Sequence, residues 1–331
     1  MADLQTRYLG LKLNNPIVAA SSGLTNSLKD IKEFEQNGAG AVVLKSIFEE
    51  EIRIQLERDQ EDMNKSSFLY PETLEFYDNF ASDDSLTSYL GMITEAKKEV
   101  SIPIIASVNC VTSEKWPFYA QYLQDAGADA LELNVFLMPS DFGKTCDERE
   151  REYFQIVEEV KKYVKIPISL KISFYSNNLG SLIQELSYSG IDGLVLFNRF
   201  YSPDIDINKL NLLSTNVLSK PSEISMPLRW IGIMADRAEC DLAASTGIHH
   251  GNGVIKQLLA GAQVVEVAST IYMNGKSHIR TMLNDLETWM DEKGYKNINE
   301  FRGLLSTKKS ENPAAYYRMQ FMKFFSGKKP Y

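Results

Sequence analysis

The chain has 331 residues, 44% of them hydrophobic and 24% charged, with a formal net charge of -9 at pH 7. That composition excludes a disordered chain and provides for a large core without staples. The acidic balance argues against a nucleic-acid partner, which needs lysine and arginine clustered in excess. Cys110, Cys146 and Cys240 are far apart and form no C-x-x-C pair, which speaks against a disulfide framework, a zinc site or an iron-sulfur cluster. The first residues lack a basic stretch followed by an apolar one, and no apolar run reaches membrane length. A soluble cytoplasmic protein without a membrane partner is expected.

In chain order, a first strand is expected at 17–20, followed by a helix capped by Ser27 that runs to Asn37 with Leu28, Ile31 and Phe34 on one face. Residues 38–45 then state a phrase that recurs at 127–134, 190–198 and 261–269: a helix ends in glycine, and a buried apolar run follows that stops on a chemically useful side chain. Glycine suits the left-handed residue that closes a helix, and the run suits a strand buried on both faces. Residues 49–80 carry many charges and no clean period, as expected of an excursion over a site.

Helices are expected at 86–100, 116–125, 147–163 and 179–189, with strands of the same buried kind at 104–108, 168–172 and 242–245 between and after them. A second insertion spans 201–227, and 228–239 reads as a helix in preference to a strand. The last unit, 312–326, has proline at its first helical position and a stripe of Tyr317, Phe321, Phe324 and Phe325 that would pack on the rest of the chain or on a second subunit. Eight βα units make a (β/α)8 TIM barrel, read here as a single domain over 1–331, with its active site at the carboxyl ends of the strands.

Lys45, Asn109, Asn134, Lys171, Asn198 and Ser269 all fall at those ends. An inward ammonium is costly to desolvate unless it meets a negative group. Lys45 and Lys171 therefore read as ligand contacts, or else as ion pairs with Glu132 or another barrel carboxylate. Asn134 and Asn198 can both donate and accept, which suits the edge of a heteroaromatic ring. The turns at Thr246-Gly247 and Ala268-Ser269-Thr270 follow strands seven and eight, where barrels commonly hold phosphate. His249 and His250 are adjacent and His278 is the third and last histidine, so no metal site is expected.

The run Asn15-Pro16-Ile17-Val18-Ala19-Ala20-Ser21-Ser22-Gly23, then Val43-Leu44-Lys45-Ser46, Leu131-Glu132-Leu133-Asn134, Leu170-Lys171-Ile172, Phe197-Asn198 and Leu258-Leu259-Ala260-Gly261-Ala262, followed by Val264 to Ser269, together resemble the class 1 dihydroorotate dehydrogenases. The resemblance implies an FMN-dependent oxidoreductase that acts on a CH-CH group of dihydroorotate in pyrimidine biosynthesis, often as a homodimer. It implies that Ala20, Ser21 and Ser46 contact the flavin ring, and that Lys171 balances the charge of the reduced flavin. Lys45 would lie between flavin and substrate, Asn134 and Asn198 would face either, and Thr246, Gly247, Ala268, Ser269 and Thr270 would hold the phosphate.

The substrate set departs from the family. The family's cysteine base falls three residues past the strand-four asparagine, where this chain has Leu137, so Ser140 and Cys146 from the same loop become the candidate bases. The family's N-x-x-G-L-P-N loop is replaced by Ser66-Ser67-Phe68-Leu69-Tyr70-Pro71-Glu72, and its glycine-rich turn by Ser222-Glu223-Ile224-Ser225. Arg199 stands where a small hydroxyl is usual. Three readings stay open: the dehydrogenase itself, a flavin barrel taking another small anion that Arg199 and Lys45 would hold, and a barrel that binds without catalysis.

Overall fold

The computed structural model of the chain describes residues 2–50, 85–110, 115–199, 202–215 and 217–317. Strands β1 (Thr6–Tyr8) and β2 (Leu11–Leu13) form a hairpin, and β3 (Ile17–Ala19) leads to helix α1 (Leu28–Gln36) and strand β4 (Ala41–Val43). A short strand, β5 (Ile47–Phe48), precedes α2 (Ser85–Glu99), β6 (Ile104–Asn109), α3 (Trp116–Asp125), β7 (Ala130–Asn134), α4 (Cys146–Tyr163), β8 (Ile168–Ile172), α5 (Leu179–Ser187) and β9 (Gly193–Leu196). A second hairpin, β10 (Ser202–Asp206) and β11 (Asn211–Thr215), stands before α6 (Ser225–Met234), β12 (Asp241–Ser245), α7 (Gly251–Ala260), β13 (Val264–Val267), α8 (Ser269–Asn274) and α9 (His278–Lys293).

The parallel order β4-β3-β13-β12-β9-β8-β7-β6 is closed by pairing of β4 with β6, which makes the eight-stranded barrel. Side chains alternate across each strand. Leu131, Leu133, Leu170, Leu194 and Val265 face the helices, while Val43, Ile105, Ala130, Val195 and Val264 fill the interior. Fully burying such a side chain contributes roughly 1.5–3 kcal/mol. Tyr8, Leu9 and Leu13 from the first hairpin join that inner layer and close the amino end of the barrel, while the Leu9 N–H donates to Asp241 Oδ2 at 2.8 Å.

Local rules account for the boundaries. Ser27 caps α1 by accepting from Asp30 N at 3.1 Å, an interaction typically worth about 1 kcal/mol. Thr145 and Glu148 form a reciprocal capping box at α4. The glycines opening the four repeated phrases, Gly38, Gly127, Gly190 and Gly261, have φ of 87, 99, 83 and 122°, a region open to glycine and strained for other residues.

Three expectations change. The second insertion contains the β10–β11 hairpin, which was not expected from residues 201–215. The helix expected at 228–239 begins earlier and ends sooner, as α6, because Pro227 is tolerated in a first turn. Of the expected helix 312–326, Pro313–Tyr316 is a 3-10 turn whose Tyr316 hydroxyl donates to Leu305 O at 2.7 Å; residues 318–326 lie outside the described residues. So does most of the excursion at 49–80, with Ser66 to Glu72 in it.

Candidate functional site

The alternation that fills the barrel also sends Asn134, Lys171, Phe197, Ser245 and Ala268 inward at the carboxyl ends, where they border a cavity of about 1090 Å3. That is large enough for a cofactor together with a substrate. Ala20, Ser21, Asn134 and Lys171 line it on one side, and Thr246, Gly247, Ala268 and Ser269 on another; Asn198 and Arg199 belong to the same wall. Ser46 lies just behind, buried. Its hydroxyl is 3.1 Å from Ser21 Oγ and 2.8 Å from Ser107 Oγ, and accepts from Asn134 Nδ2 at 3.2 Å. This network fixes the Asn134 amide, whose Oδ1 is buried and has no hydrogen-bond partner among the described residues.

Lys171 is an ion-pair residue. Its Nζ lies 2.7 Å from Glu266 Oε2 and 3.5 Å from Glu132 Oε1, all three side chains buried. Burial alone would lower the lysine, but attraction to Glu132 and then Glu266 outweighs it and raises the pKa above the ordinary value. Burial and the neighbouring Glu266 push the Glu132 carboxyl well above the carboxylate range, with Lys171 opposing. Glu132 was foreseen as a partner. Glu266 was not, although an acid between Val265 and Val267 in a buried run was a visible signal.

The turn after β12 is knit by a residue the sequence did not mark. The Ser219 N–H donates to Ser269 Oγ at 2.9 Å, Ser219 Oγ is 3.0 Å from His249 Nε2, and Gly247 N–H points at Ser219 Oγ at 3.4 Å. Thr246 has φ of 80°, and a Cβ on Gly247 would fall 2.1 Å from Ile224 N. The Thr270 hydroxyl is spent on His249 O at 3.0 Å, so that side chain serves the turn itself. Asn198 is buried, with Nδ2 3.5 Å from both Val135 O and Lys171 O.

Several predicted residues stand elsewhere. Lys45 is half-buried at the end of β4 and does not border the cavity. The Arg199 guanidinium, expected to hold an anion, is taken by Glu223 and by Val217 O. Ser140 is exposed in a turn, and Cys146 is exposed at the start of α4, its Sγ 3.8 Å from Asn177 Nδ2; neither borders the cavity, whereas Leu137 does. Cys110 and Glu50 also border it. Burial, then Glu49 and Glu50, push the Cys110 thiol far up, which keeps it neutral.

Among the described residues no His, Cys, Asp and Glu side chains group as metal ligands would, and no helix is long and apolar enough to cross a membrane. A family profile described as dihydroorotate dehydrogenase matches residues 80–290, well over half of the chain. The catalytic subunit of dihydroorotate dehydrogenase B (NAD(+)) from Thermoplasma volcanium is 27% identical over 312 residues, 92% of this chain and 99% of that protein. The subunits of the same name from Thermoplasma acidophilum and Pyrococcus abyssi are 26% and 24% identical, over 92% and 91% of this chain and 99% and 98% of their own lengths.

Proposed function

From the premise that this chain belongs to the dihydroorotate dehydrogenase family, we propose that it is an FMN-dependent oxidoreductase acting on a CH-CH group, with dihydroorotate as the first substrate to test. The family is one of oxidoreductases, and the relatives named above are catalytic subunits by name. The observation that carries the cofactor reading is the donor set of the cavity. It has hydroxyls and an amide with an unpartnered acceptor beside Lys171 at one side, and the Thr246-Gly247 turn with Ser219 and Ser269 at another. These suit the polar edge of a heteroaromatic ring and a phosphate in turn, so the residues present fit FMN.

When bound, FMN would supply the hydride acceptor. Ala20, Ser21 and the Ser46–Asn134 network would seat its ring, and the Gly247 and Ser269 side would hold its phosphate. The Lys171 ammonium is held by Glu266 and Glu132 of the chain itself, so it would stabilise developing negative charge without reorganising. Asn198, on the cavity wall, would meet the substrate. A homodimer in the cytoplasm that serves pyrimidine biosynthesis completes this reading.

One observation favours a second reading. With Leu137 on the cavity wall and Arg199 committed to Glu223, neither the family's base nor a free arginine is at hand, which suits a flavin barrel acting on a different small cyclic substrate. An absorbance spectrum of the purified protein, before and after anaerobic dihydroorotate, separates the two. Flavin bands that bleach support the dehydrogenase, bands that persist favour another substrate, and no flavin even after FMN is added overturns both.

A further inference from the structure

Lys171 and Glu266 border the cavity at its floor, with Glu132 buried behind them, and the hydrogen bonds of the three do not balance unless a proton is added. Lys171 has three N–H donors. Glu266 Oε2 takes one at 2.7 Å and Glu132 Oε1 lies 3.5 Å away. The opposite oxygens, Glu132 Oε2 and Glu266 Oε1, are buried with no donor among the described residues, and both carboxyl groups converge on the same ammonium. Ionised carboxylate oxygens only accept, and two of them gathered about one ammonium out of water cannot both stay charged.

The surroundings do not supply the missing charge. The groups acting on the pair are Lys171 from β8 and, from the hairpin beneath, Tyr8, whose buried hydroxyl stays neutral. Farther off, Tyr89 on α2 is neutral as well, and Asp241 at the foot of β12 adds a negative charge of its own while accepting from Leu9 N.

We propose that Glu132 and Glu266 share a single proton, so that the pair and Lys171 form a buried, electrically neutral triad in which one negative charge holds the ammonium at the cavity floor. Glu132 and Glu266 are then positioning residues that act through Lys171. The triad explains how a lysine stays charged at a buried position. With two of its N–H groups directed to the carboxyls, one donor remains for a polar edge in the cavity, which Lys171 lines. This holds whatever the substrate is.

The test is infrared spectroscopy of the full-length protein at neutral pH in heavy water, for wild type, Glu132→Gln and Glu266→Gln, with thermal unfolding of the same samples and of the double variant. Glutamine mimics a protonated glutamic acid in shape. In either single variant the remaining carboxyl ionises against Lys171. The wild type is expected to show a carboxylic-acid C=O band that both single variants lose, while both still fold and unfold near the wild-type midpoint. The double variant strands the ammonium and is expected to unfold at a clearly lower temperature. A wild type without the band, a band retained in both single variants, or single variants as unstable as the double one would each overturn the shared proton. None of these readouts depends on flavin or on turnover.

Discussion

Arg199 grips Glu223 with two nitrogens, Nε 2.7 Å from Oε2 and Nη2 3.2 Å from Oε1, while Nη1 donates to Val217 O at 2.9 Å. A guanidinium engaged on both edges is a bracket rather than a ligand site. It ties the end of β9 to the segment that leads into α6, and that segment contains both Ser219, at the centre of the β12 turn, and Ile224, against which Gly247 packs. The substitution of a small hydroxyl by arginine thus belongs with Glu223, which stands in the turn that departs from the family's glycines. The two departures are hydrogen-bonded to each other.

Burial alone would raise the Glu223 carboxyl, but hydrogen bonds from Arg199 and from the Lys220 N–H hold it below the ordinary carboxylate range. A depressed folded pKa gives stability that is present above the unfolded value, about 4.3, and is lost as pH falls through the folded one. Glu223→Gln should therefore cost on the order of 1 kcal/mol at neutral pH and flatten the acid side of the stability profile. Urea unfolding across that range checks it; an unchanged profile would show that the bracket contributes nothing.

Gly247→Ala should be far more disruptive. A Cβ there would lie 2.1 Å from Ile224 N with φ held at 78°, and a left-handed backbone alone costs a residue with a side chain about 1–3 kcal/mol. The turn must shift, and with it Ser219 and Ser269. Expected are a lower unfolding midpoint and weaker FMN binding, read by quenching of flavin fluorescence on titration. Wild-type affinity in a folded variant would remove the turn from the phosphate site.

The barrel was legible because its signals are local. A glycine before each apolar run, and the length of each run, set strand positions that the structure reproduces to within a residue or two. The β1–β2 hairpin was missed because its turn, Leu9-Gly10, has φ of 55 and 72° without the Asn-Gly or Asp-Gly that usually marks such a turn. At the site, strand alternation put Asn134 and Lys171 inward correctly, since it depends only on parity. Glu132 was named as a partner of Lys171, but that Glu266 is the nearer one could not be read, because it is 95 residues away and the contact exists only once the barrel closes. Ser219 is the extreme case, a hydroxyl in an insertion whose partners come from two other loops.

His249 gives a second handle on pH. Burial, then the adjacent His250, lower its pKa, opposed by a hydrogen bond to the Ser219 backbone. The neutral ring is favoured in the folded state, so stability is full above the unfolded histidine pKa of about 6.5 and declines as pH falls through the lower folded value. Proton NMR of the imidazole should show His249 titrating below an ordinary histidine. His249→Gln should remove that part of the decline, and a His249 that titrates at the ordinary value would refute the assignment.

Lys171→Met should be the most damaging single change at the barrel floor. It removes the counter-charge of two buried carboxyls, and breaking a buried ion pair from one side typically costs about 3–5 kcal/mol. Part of this loss returns on acidification, as the remaining carboxylate takes a proton, so the variant should be more stable relative to wild type at low pH than at neutral pH. Denaturant unfolding at two pH values measures both. A cost that does not change with pH would point to lost packing instead of charge.

The base is the sharpest open question about the chemistry, and three variants address it together. Ser140 and Cys146 are exposed and do not border the cavity, so Ser140→Ala and Cys146→Ala should leave turnover with dihydroorotate as it is in wild type. Leu137 borders the cavity at the position from which a family member's cysteine would act. If dihydroorotate is the substrate and a base is what the wild type lacks, Leu137→Cys should raise turnover, within the roughly 10²–10⁴-fold that a positioned base supplies. It should also introduce a thiol ionisation into the pH-rate profile. A rise in the Leu137→Cys variant with no change in the two alanine variants would support dihydroorotate and place the missing function at that wall. A fall in either alanine variant would bring its loop into the cavity. Flavin that bleaches with dihydroorotate in wild type, combined with no effect of Leu137→Cys, would direct the search to the wall carboxyls outside the Lys171 triad, Glu50 and Glu152.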